Sequence, residues 1–325
     1  MHDVLKIPSR QKVVALFGEV LVDVFPDRRV LGGAPFNVAR HLKAFGLYPL
    51  LITRTGNDAI RDELLEAMAR FGMDDRGVQN DLAHPSGQVA VHTEGHGHRF
   101  EILPDRAYDY IHAGLVHMIT LAVRPKMIYF GTLAQRCVIS RKALTALLRS
   151  SKAPRFLDLN LRDPWYDLST VERSLQRADI AKMNEDELLQ VAALLQIPDN
   201  TIEEQAAALV HRFNLERLLV TCGEQGAWQL SGSGKLVRAS GQTMEQPMVD
   251  TVGAGDGFSA VLIFGMLSGW PIASILSRAN AFAAAVCGIR GAVPADQDFY
   301  APFLEEWKKC PPDKSKTKTK ILCTF

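Results

Sequence analysis

The alternation of short apolar runs with helical patterns along most of the chain is the feature that most constrains its fold. The run VVALF (Val13–Phe17) predicts a buried strand, and from Ala34 onward Val38, Leu42 and Phe45 recur at helical spacing. Further apolar runs, each followed by a helical pattern or a turn, are LLIT, MIYF, RFLDL, DIAKM and RLLVT. Strands that alternate with helices require crossover connections, so we expect an α/β fold with a largely parallel sheet covered on both faces.

One segment departs from this alternation. Residues 87–103 alternate with a period near two and turn at positions 94–95, which predicts an antiparallel hairpin. A hairpin has no place in a parallel sheet, so we expect it to form a lid beside a binding site. An edge hairpin without a function is the alternative.

Composition and charge argue against several classes of protein. With 37 basic and 36 acidic residues the formal net charge is +1, which argues against a protein that coats nucleic acid or an anionic membrane. The five cysteines form no CxxC pair, which favours a reducing compartment. The N-terminus shows no signal peptide and no apolar stretch is long enough to span a bilayer, so a cytoplasmic protein is expected.

The chain is expected to form one domain with a tail. Since 47% of the 325 residues are hydrophobic, the chain can bury a sizeable core over residues 1–310. The segment PPDKSKTKTKILCTF begins with two prolines and continues with alternating lysines. Residues 311–325 are therefore expected to form a basic, disordered tail.

The most informative segment is DTVGAGDGFSA, residues 250–260, which runs into an apolar helical pattern. Gly253, Gly255 and Gly257 surround Asp256, and small residues allow several backbone N–H groups to converge at a helix N-terminus. Such a turn can hold a phosphate or the charge that develops in phosphoryl transfer, and Asp256 could take a proton from an attacking hydroxyl. A glycine-rich turn whose aspartate only caps the helix is the alternative.

A second glycine segment, GGAPFN, lies near the start of the chain. Gly32 and Gly33 permit close approach of a ligand to the backbone, while Asn37 and the preceding Asp23 can hold sugar hydroxyls. In isolation the segment is better explained as ordinary helix initiation, with Pro35 at an early helical position.

Together, GGAPFNVARHLKAFG and DTVGAGDGFSA resemble the two signature regions of the ribokinase-like (PfkB) carbohydrate kinase family. The resemblance extends over roughly residues 13–294, and GGAPxN is most similar to fructokinases. It implies a three-layer α/β/α domain with a mainly parallel sheet and a small β-sheet lid from about 19–31 and 87–105. It also implies ATP-dependent phosphorylation of a primary sugar hydroxyl, with a sugar and ATP as partners and with the chance of a homodimer.

The resemblance also assigns roles to residues. Asp256 is the expected catalytic base, and the N–H groups of Gly253, Ala254 and Gly255 are expected to hold the developing charge. Sugar contacts are expected from Asp23, Gly32, Gly33, Asn37 and Arg162. The segment FLDLNLR, with Asp158, Asn160 and Arg162, resembles a DxNxR strand end of fructokinases and 2-keto-3-deoxygluconate kinases; a buried ion pair between Asp158 and Arg162 is the alternative.

Nucleotide and cation contacts follow from the same resemblance. Nucleotide contacts are expected from Asn184, Thr221, Gly223, Gly226 and Asn280. Glu187 resembles the acid of an NxxE motif that holds Mg²⁺ through water, and Asp250 with the carbonyl of Val252 matches a region that binds K⁺ in many members. An Asn-capped helix at Asn184 and a plain hairpin at residues 221–226 are the alternatives.

These residues predict a fructokinase-like enzyme that converts D-fructose to fructose 6-phosphate. Phe36, bulkier than the residue usual at that position in fructokinases, is expected to narrow the pocket or stack on the sugar, or else to point into the helix-packing core. The alternatives are a 2-keto-3-deoxygluconate kinase or a ribokinase. A regulator that binds sugar or nucleotide without turnover is an alternative of another class.

Overall fold

A computed structural model of the chain describes residues 12–25, 28–94, 97–198, 200–242 and 248–309. The expected tail at 311–325 lies outside these residues. In chain order the strands are β1 (Val13–Phe17), β2 (Leu21–Val24), β3 (Arg29–Gly32), β4 (Tyr48–Gly56), β5 (Val78–Asp81), β6 (Gly87–Glu94), β7 (Gly97–Ile102), β8 (Met127–Phe130), β9 (Arg155–Asp158), β10 (Ile180–Asn184), β11 (Arg217–Thr221), β12 (Gly226–Ser231) and β13 (Leu236–Ser240).

The large sheet has the strand order β13-β12-β11-β10-β9-β8-β1-β4-β5. All neighbours from β11 to β5 are parallel, while β12 and β13 continue the sheet as antiparallel strands. All five residues of β1 are buried, because both faces of the sheet are covered. Ala15 and Phe17 pack into the core on one face, and Val14 and Leu16 pack into the core on the other.

Helices form the two outer layers. In chain order they are α1 (Ala34–Ala44), α2 (Ala59–Arg70), α3 (Ala113–Val123), α4 (Val138–Arg149), α5 (Leu168–Arg177), α6 (Glu185–Leu194), α7 (Ile202–Phe213), α8 (Ala254–Ser268), α9 (Ile272–Cys287) and α10 (Ala301–Lys309). Buried residues of α3 to α7 share one core, and buried residues of α1, α2 and α8 to α10 share the other. No helix in the part of the chain that the structure describes is long and apolar enough to cross a membrane.

The small sheet consists of four strands in the order β3-β2-β6-β7. Strands β6 and β7 form the antiparallel hairpin that the alternation over residues 87–103 predicts. The hairpin is not an isolated edge, since β6 pairs in parallel with β2, and β2 pairs with β3 just before α1. The small sheet therefore joins the two segments, 19–31 and 87–105, that the sequence assigns to a lid.

Candidate active site

The two glycine segments meet in one cleft of about 760 Å³ at the carboxyl ends of the parallel strands. Of the residues to which the sequence assigns a catalytic, sugar, nucleotide or cation contact, all but Asp250 line this cleft. We call the end beside the small sheet the sugar end, because the sequence predicts the sugar contacts there. The end beside β11, β12 and α9, where the sequence predicts the nucleotide contacts, is called the nucleotide end. The N-terminus of α8, from Ala254 to Asp256, lines the cleft as well.

Helix α8 begins at a backbone turn that only glycine can form. Gly253 has φ of 82°, in the left-handed region, and a Cβ there would lie 2.3 Å from the Cα of Ala292. No side chain caps the helix. The N–H of Ala254 already donates to the carbonyl of Thr251 at 3.3 Å, whereas those of Gly253 and Gly255 have no acceptor among the described residues. The free donors suit an anion at this helix terminus.

Asp256 and Asn37 connect the two motifs directly. The Nδ2 of Asn37 donates to Oδ2 of Asp256 at 2.8 Å, although the residues are 219 positions apart in the chain. Asn37 is 5% exposed, and its Oδ1 is buried with no partner among the described residues. Asn37 can therefore accept a hydrogen bond from a ligand while it orients the carboxylate of Asp256.

The surroundings of Asp256 raise its proton affinity. Burial raises the pKa of Asp256 to about 6, and the nearby charge of Asp158 adds to the rise. The hydrogen bond from Asn37 and the charges of Lys182 and Arg162 oppose it. A carboxyl group with a pKa near 6 is ionised at neutral pH and is a stronger base than an exposed aspartate.

The sugar end contains Asp23, Gly32, Gly33 and Arg162. Gly33 has φ of 107°, and a Cβ there would lie 2.7 Å from the carbonyl oxygen of Glu19, so the close approach of the two segments requires glycine. Asp23 lies on β2, and burial raises its pKa to about 6 while Arg162 opposes the rise. Residues from three separate segments thus converge on this end of the cleft, and Asp23 and Arg162 bring charged side chains to it.

Asp158 does not pair with Arg162. The carboxylate of Asp158, 1% exposed, lies 3.1 Å from Nζ of Lys182 and accepts hydrogen bonds from Ser259 Oγ at 2.7 Å and Tyr129 Oη at 3.2 Å. Arg162 is exposed and lines the cleft. The ion pair considered as the alternative for FLDLNLR is therefore wrong, and the guanidinium of Arg162 is available to a ligand.

Lys182 is a cleft residue that the sequence reasoning missed. It lies on β10 in the run DIAKM, is 7% exposed, and its Nζ lies 3.2 Å from where a Cβ of Gly255 would be. Burial is the largest single effect and lowers the pKa of Lys182, but the opposing effects, with the charges of Asp158 and Glu187 the largest of them, together outweigh it, so the pKa is raised. A lysine inside an apolar strand was the available signal, because a buried ammonium group needs a partner.

Asn184 and Glu187 form a reciprocal cap at the start of α6. Asn184 Oδ1 accepts from the N–H of Glu187 at 2.7 Å, and Glu187 Oε2 accepts from the N–H of Asn184 at 2.8 Å. Glu187 Oε1 also accepts from the N–H of Leu161 at 2.8 Å. The helix-cap interpretation is thus realised, and both side chains line the cleft as well. Burial raises the pKa of Glu187.

The nucleotide end combines a hairpin with a helix face of small residues. Thr221, Gly223 and Gly226 lie where β11 turns into β12, so the plain hairpin and the cleft wall are the same segment. Asn280 Nδ2 donates to the carbonyls of Ala239 and Ser240 at 3.1 and 3.0 Å. At helical spacing from Asn280 the cleft is lined by Ala283, Ala284 and Cys287, which the sequence reasoning also missed.

Asp250 lies outside the lining of the cleft. Its Oδ1 accepts from the N–H of Val252 at 3.0 Å and its Oδ2 from the N–H of Gly291 at 3.2 Å. Asp250 therefore ties the segment before α8 to the segment after α9, and Val252 alone of the two lines the cleft.

The expectation that Phe36 shapes the sugar pocket is wrong. Phe36 is 2% exposed and packs in the core beneath α1 and α8, with Val38 and Phe258 among the members of that core. It is absent from the residues that line the cleft. On helix α1 the side chain of Asn37 lines the cleft, whereas that of Phe36, one position earlier, points into the core. The alternative, that Phe36 points into the helix-packing core, describes the structure.

Comparison with known proteins shows what the chain is. The family described as pfkB family carbohydrate kinase matches residues 7–298. The chain belongs to this family. It is 27% identical over 301 residues to a sugar kinase of Pyrococcus horikoshii, covering 86% of this chain and 91% of that protein. It is 28% identical over 272 residues to the fructokinase of Klebsiella pneumoniae, covering 77% of this chain and 83% of that protein.

Solved structures share the fold of this pfkB kinase. The crystal structure of the Pyrococcus horikoshii sugar kinase gives a TM-score of 0.76 at 24% identity and covers 91% of this chain and 99% of its own. The fructokinase of Xylella fastidiosa with bound ATP gives 0.76 at 18% identity, with 92% and 99% covered. At these identities the likeness concerns the fold alone. The predicted ribokinase-like α/β/α fold with a small second sheet is confirmed.

Proposed function

We propose that the chain transfers the γ-phosphoryl group of ATP to a primary hydroxyl of a ketohexose, D-fructose first among them. The observation that carries this proposal is the hydrogen bond between Asn37 and Asp256, because it joins the sugar motif to the base candidate within one cleft. The fructokinase relatives and the GGAPxN segment support fructose over other sugars. Phe36 packs in the core and does not line the cleft, so its difference from the residue usual in fructokinases has no direct contact through which to change the choice of sugar.

The proposed reaction places each group in a defined role. Asp256 accepts the proton of the sugar hydroxyl as the hydroxyl oxygen attacks the γ-phosphorus, and the bond to the β-phosphate oxygen breaks to release ADP. The N–H groups of Gly253 and Gly255 and the ammonium group of Lys182 stabilise the charge on the transferring group. Asn37, Asp23 and Arg162 hold the sugar, so that most of the acceleration comes from positioning and electrostatics.

The residues at the centre of the cleft fit a magnesium ion bound through water. Both carboxylate oxygens of Glu187 accept backbone N–H bonds, which leaves lone pairs for hydrated Mg²⁺ rather than a full set of direct ligands. Mg²⁺, when bound, neutralises charge on the phosphates. Asp250 and the carbonyl of Val252 remain the proposed K⁺ site. The oxygens of Asp250 already accept hydrogen bonds from two backbone N–H groups that hold the turn before α8. We therefore expect bound K⁺ to act on the conformation of this turn.

Two further parts of the proposal concern the small sheet. Strands β3 and β7 are its edges, and its residues Asp23, Val30, Val89 and Ile102 line the sugar end of the cleft. We propose that the small sheet closes over the sugar as a lid. The edges also offer a surface for a homodimer, which light scattering of the purified full chain tests directly.

A kinase assay over a panel of sugars tests the proposal. ADP release is measured with D-fructose, ribose, glucose, 2-keto-3-deoxygluconate and adenosine, and the phosphorylated position is read by ³¹P and ¹³C NMR. We expect the highest kcat/KM with D-fructose and a product phosphorylated at a primary carbon. A tenfold preference for 2-keto-3-deoxygluconate or ribose would replace fructose as the substrate. Sugar binding without ADP release from any member would favour the regulator.

The variant Asp23→Ala adds a site-specific test to the same panel. Because Asp23 is expected to accept hydrogen bonds from sugar hydroxyls, its loss should raise the sugar KM at least tenfold while the KM for ATP stays within about threefold. An equal rise in both KM values would mean that Asp23 supports the small sheet and does not contact the sugar.

A further inference from the structure

Glu19 lies at the sugar end of the cleft and belongs to neither glycine motif. It follows β1 by two positions, its side chain is 5% exposed, and it lines the cleft. Its Oε2 is buried and has no hydrogen-bond partner among the described residues. A buried carboxylate oxygen without a donor lowers stability, so its presence in a cleft points to a donor that a ligand brings.

The backbone of Glu19 is fixed against the sugar motif. Its carbonyl oxygen lies 2.7 Å from where a Cβ of Gly33 would be, and the Cα of Val20 lies 3.2 Å from the same point. Gly33 is also a cleft residue. Glu19 therefore lies next to the segment that the sequence assigns to the sugar.

Pairing with Arg136 does not account for the buried Oε2. Arg136 donates from Nε and Nη2 to the two oxygens of Asp109 at 2.7 Å each and from Nη2 to the carbonyl of Leu103 at 2.9 Å. Its Nη1 is itself buried without a partner. No ion pair joins Glu19 and Arg136 within the part of the chain that the structure describes, and the ion pair of Arg136 is made with Asp109.

The charges around the sugar end are unequal. Burial raises the pKa of Glu19 to about 7, and the charge of Asp256 adds to the rise, while the charges of Arg162 and Arg136 oppose it. Arg162 likewise opposes the rise at Asp23 and Asp256. Among the described residues that line the cleft, Arg162 is the one cation that joins the carboxyl groups of Glu19, Asp23 and Asp256 without an ion pair, since Lys182 is paired with Asp158. An anionic ligand at this end would meet more negative than positive charge.

We propose that Glu19 is a specificity-determining residue whose Oε2 accepts a hydrogen bond from a hydroxyl of the bound sugar, so that this end of the cleft, where carboxyl groups outnumber cations in the lining, selects neutral sugars over acid sugars. The proposal rests on the sugar kinase function proposed above and names the substrate class of the same site. Under this proposal Glu19 sets the ratio of the kcat/KM values for two substrates and takes no part in the proton transfer to Asp256.

The test compares D-fructose with 2-keto-3-deoxygluconate, a neutral and an acid sugar, in the wild-type chain and in Glu19→Gln. We expect the wild type to prefer fructose. Glu19→Gln should raise the fructose KM about 10- to 100-fold, the range for one hydrogen bond to a charged group, and should lower the ratio of kcat/KM values at least tenfold. Glu224→Gln, which removes a charge at the nucleotide end, should leave that ratio within about twofold.

The outcomes separate this inference from the proposed function. If the wild type prefers ribose to fructose, the proposal that fructose is the substrate is wrong. The ratio of kcat/KM values for a neutral and an acid sugar then still tests the role of Glu19. A wild type that prefers the acid sugar overturns the inference, as does an unchanged ratio in Glu19→Gln. If Glu19→Gln fails to fold by circular dichroism, Glu19→Asp replaces it. That variant keeps the charge but withdraws the oxygen, so a wild-type fructose KM in it would also overturn the inference.

Discussion

The Nδ2 of Asn37 donates a hydrogen bond of 2.8 Å to Oδ2 of Asp256, and this contact fixes the relation between the two ends of the chain. Asn37 lies on α1 and Asp256 on the first turn of α8, and the two helices pack against each other. The bond leaves Oδ1 of Asp256 unconstrained by Asn37 and leaves Oδ1 of Asn37 without a partner among the described residues. Both free oxygens can then face one sugar hydroxyl and its neighbour.

The first prediction concerns Asp256→Asn, which keeps the shape and the bond from Asn37 but removes the base. We expect kcat to fall by about 10²- to 10⁴-fold, the range for a positioned general base, while sugar and ATP affinities change by less than about threefold. Steady-state kinetics and calorimetric binding of both ligands measure the two effects. Near-normal turnover in the folded variant would remove Asp256 from the mechanism.

The second prediction concerns the pH dependence of stability. Burial raises the pKa of Asp256 to about 6, so the folded chain holds this proton more tightly than the unfolded chain does. The resulting stabilisation is present below about pH 4 and is lost as the pH rises through about 6. Asp256→Asn should therefore raise the free energy of unfolding at pH 7.5 by about 2–3 kcal/mol and change it little at pH 4. Urea unfolding of the wild type and the variant at both pH values measures this effect. An equal difference in the free energy of unfolding at pH 7.5 and at pH 4 would contradict the prediction.

The sequence predicts the strand and helix order well because each element is buried on a regular pattern. The run at Val13–Phe17 is apolar throughout because helices cover both faces of the sheet, and the hairpin at 87–103 alternates because it lies outside that sheet. The glycine positions are equally readable, since Gly33 and Gly253 have backbone angles that other residues adopt only with strain.

Side-chain direction and charge pairing are the parts that the sequence does not settle. Phe36 and Asn37 are neighbours, and only the packing of α1 against α8 decides which of them faces the cleft. The acid of FLDLNLR could pair with Arg162 on the same segment or with a cation on another strand. The parallel pairing of β9 with β10 sets Asp158 opposite Lys182, and this register is a tertiary property.

The third prediction concerns Lys182. We expect Lys182→Met to lower kcat by about 10²- to 10³-fold, the usual loss for one stabilising donor, and to lower the free energy of unfolding by about 3–5 kcal/mol because Asp158 stays buried without its cation. The double variant Lys182→Met/Asp158→Asn keeps the bonds from Ser259 and Tyr129 and should recover much of the stability without the activity. Recovery of both would show that Lys182 only neutralises Asp158.

The fourth prediction concerns the divalent ion. Activity should be absent in excess EDTA, and Glu187→Gln should raise the Mg²⁺ concentration for half-maximal rate several-fold, because a water-mediated contact to a charge is lost. Glu204→Gln is a matched control. Glu204 caps α7 with Thr201 as Glu187 caps α6 with Asn184, and it does not line the cleft. An equal response of both variants to Mg²⁺ would reduce Glu187 to a helix cap.

The fifth prediction separates packing from specificity at Phe36. Since Phe36 is 2% exposed within the core and does not line the cleft, Phe36→Leu should lower the free energy of unfolding by about 1–3 kcal/mol through lost contacts. The ratio of kcat/KM values for D-fructose and ribose should stay within about twofold. Urea unfolding and the two kinetic assays check the pair of effects in one preparation. A shift of that ratio beyond tenfold at unchanged stability would place the ring in contact with the sugar. A side chain confined to the core can change the stability, but it has no atom in contact with the sugar and therefore cannot discriminate between two sugars.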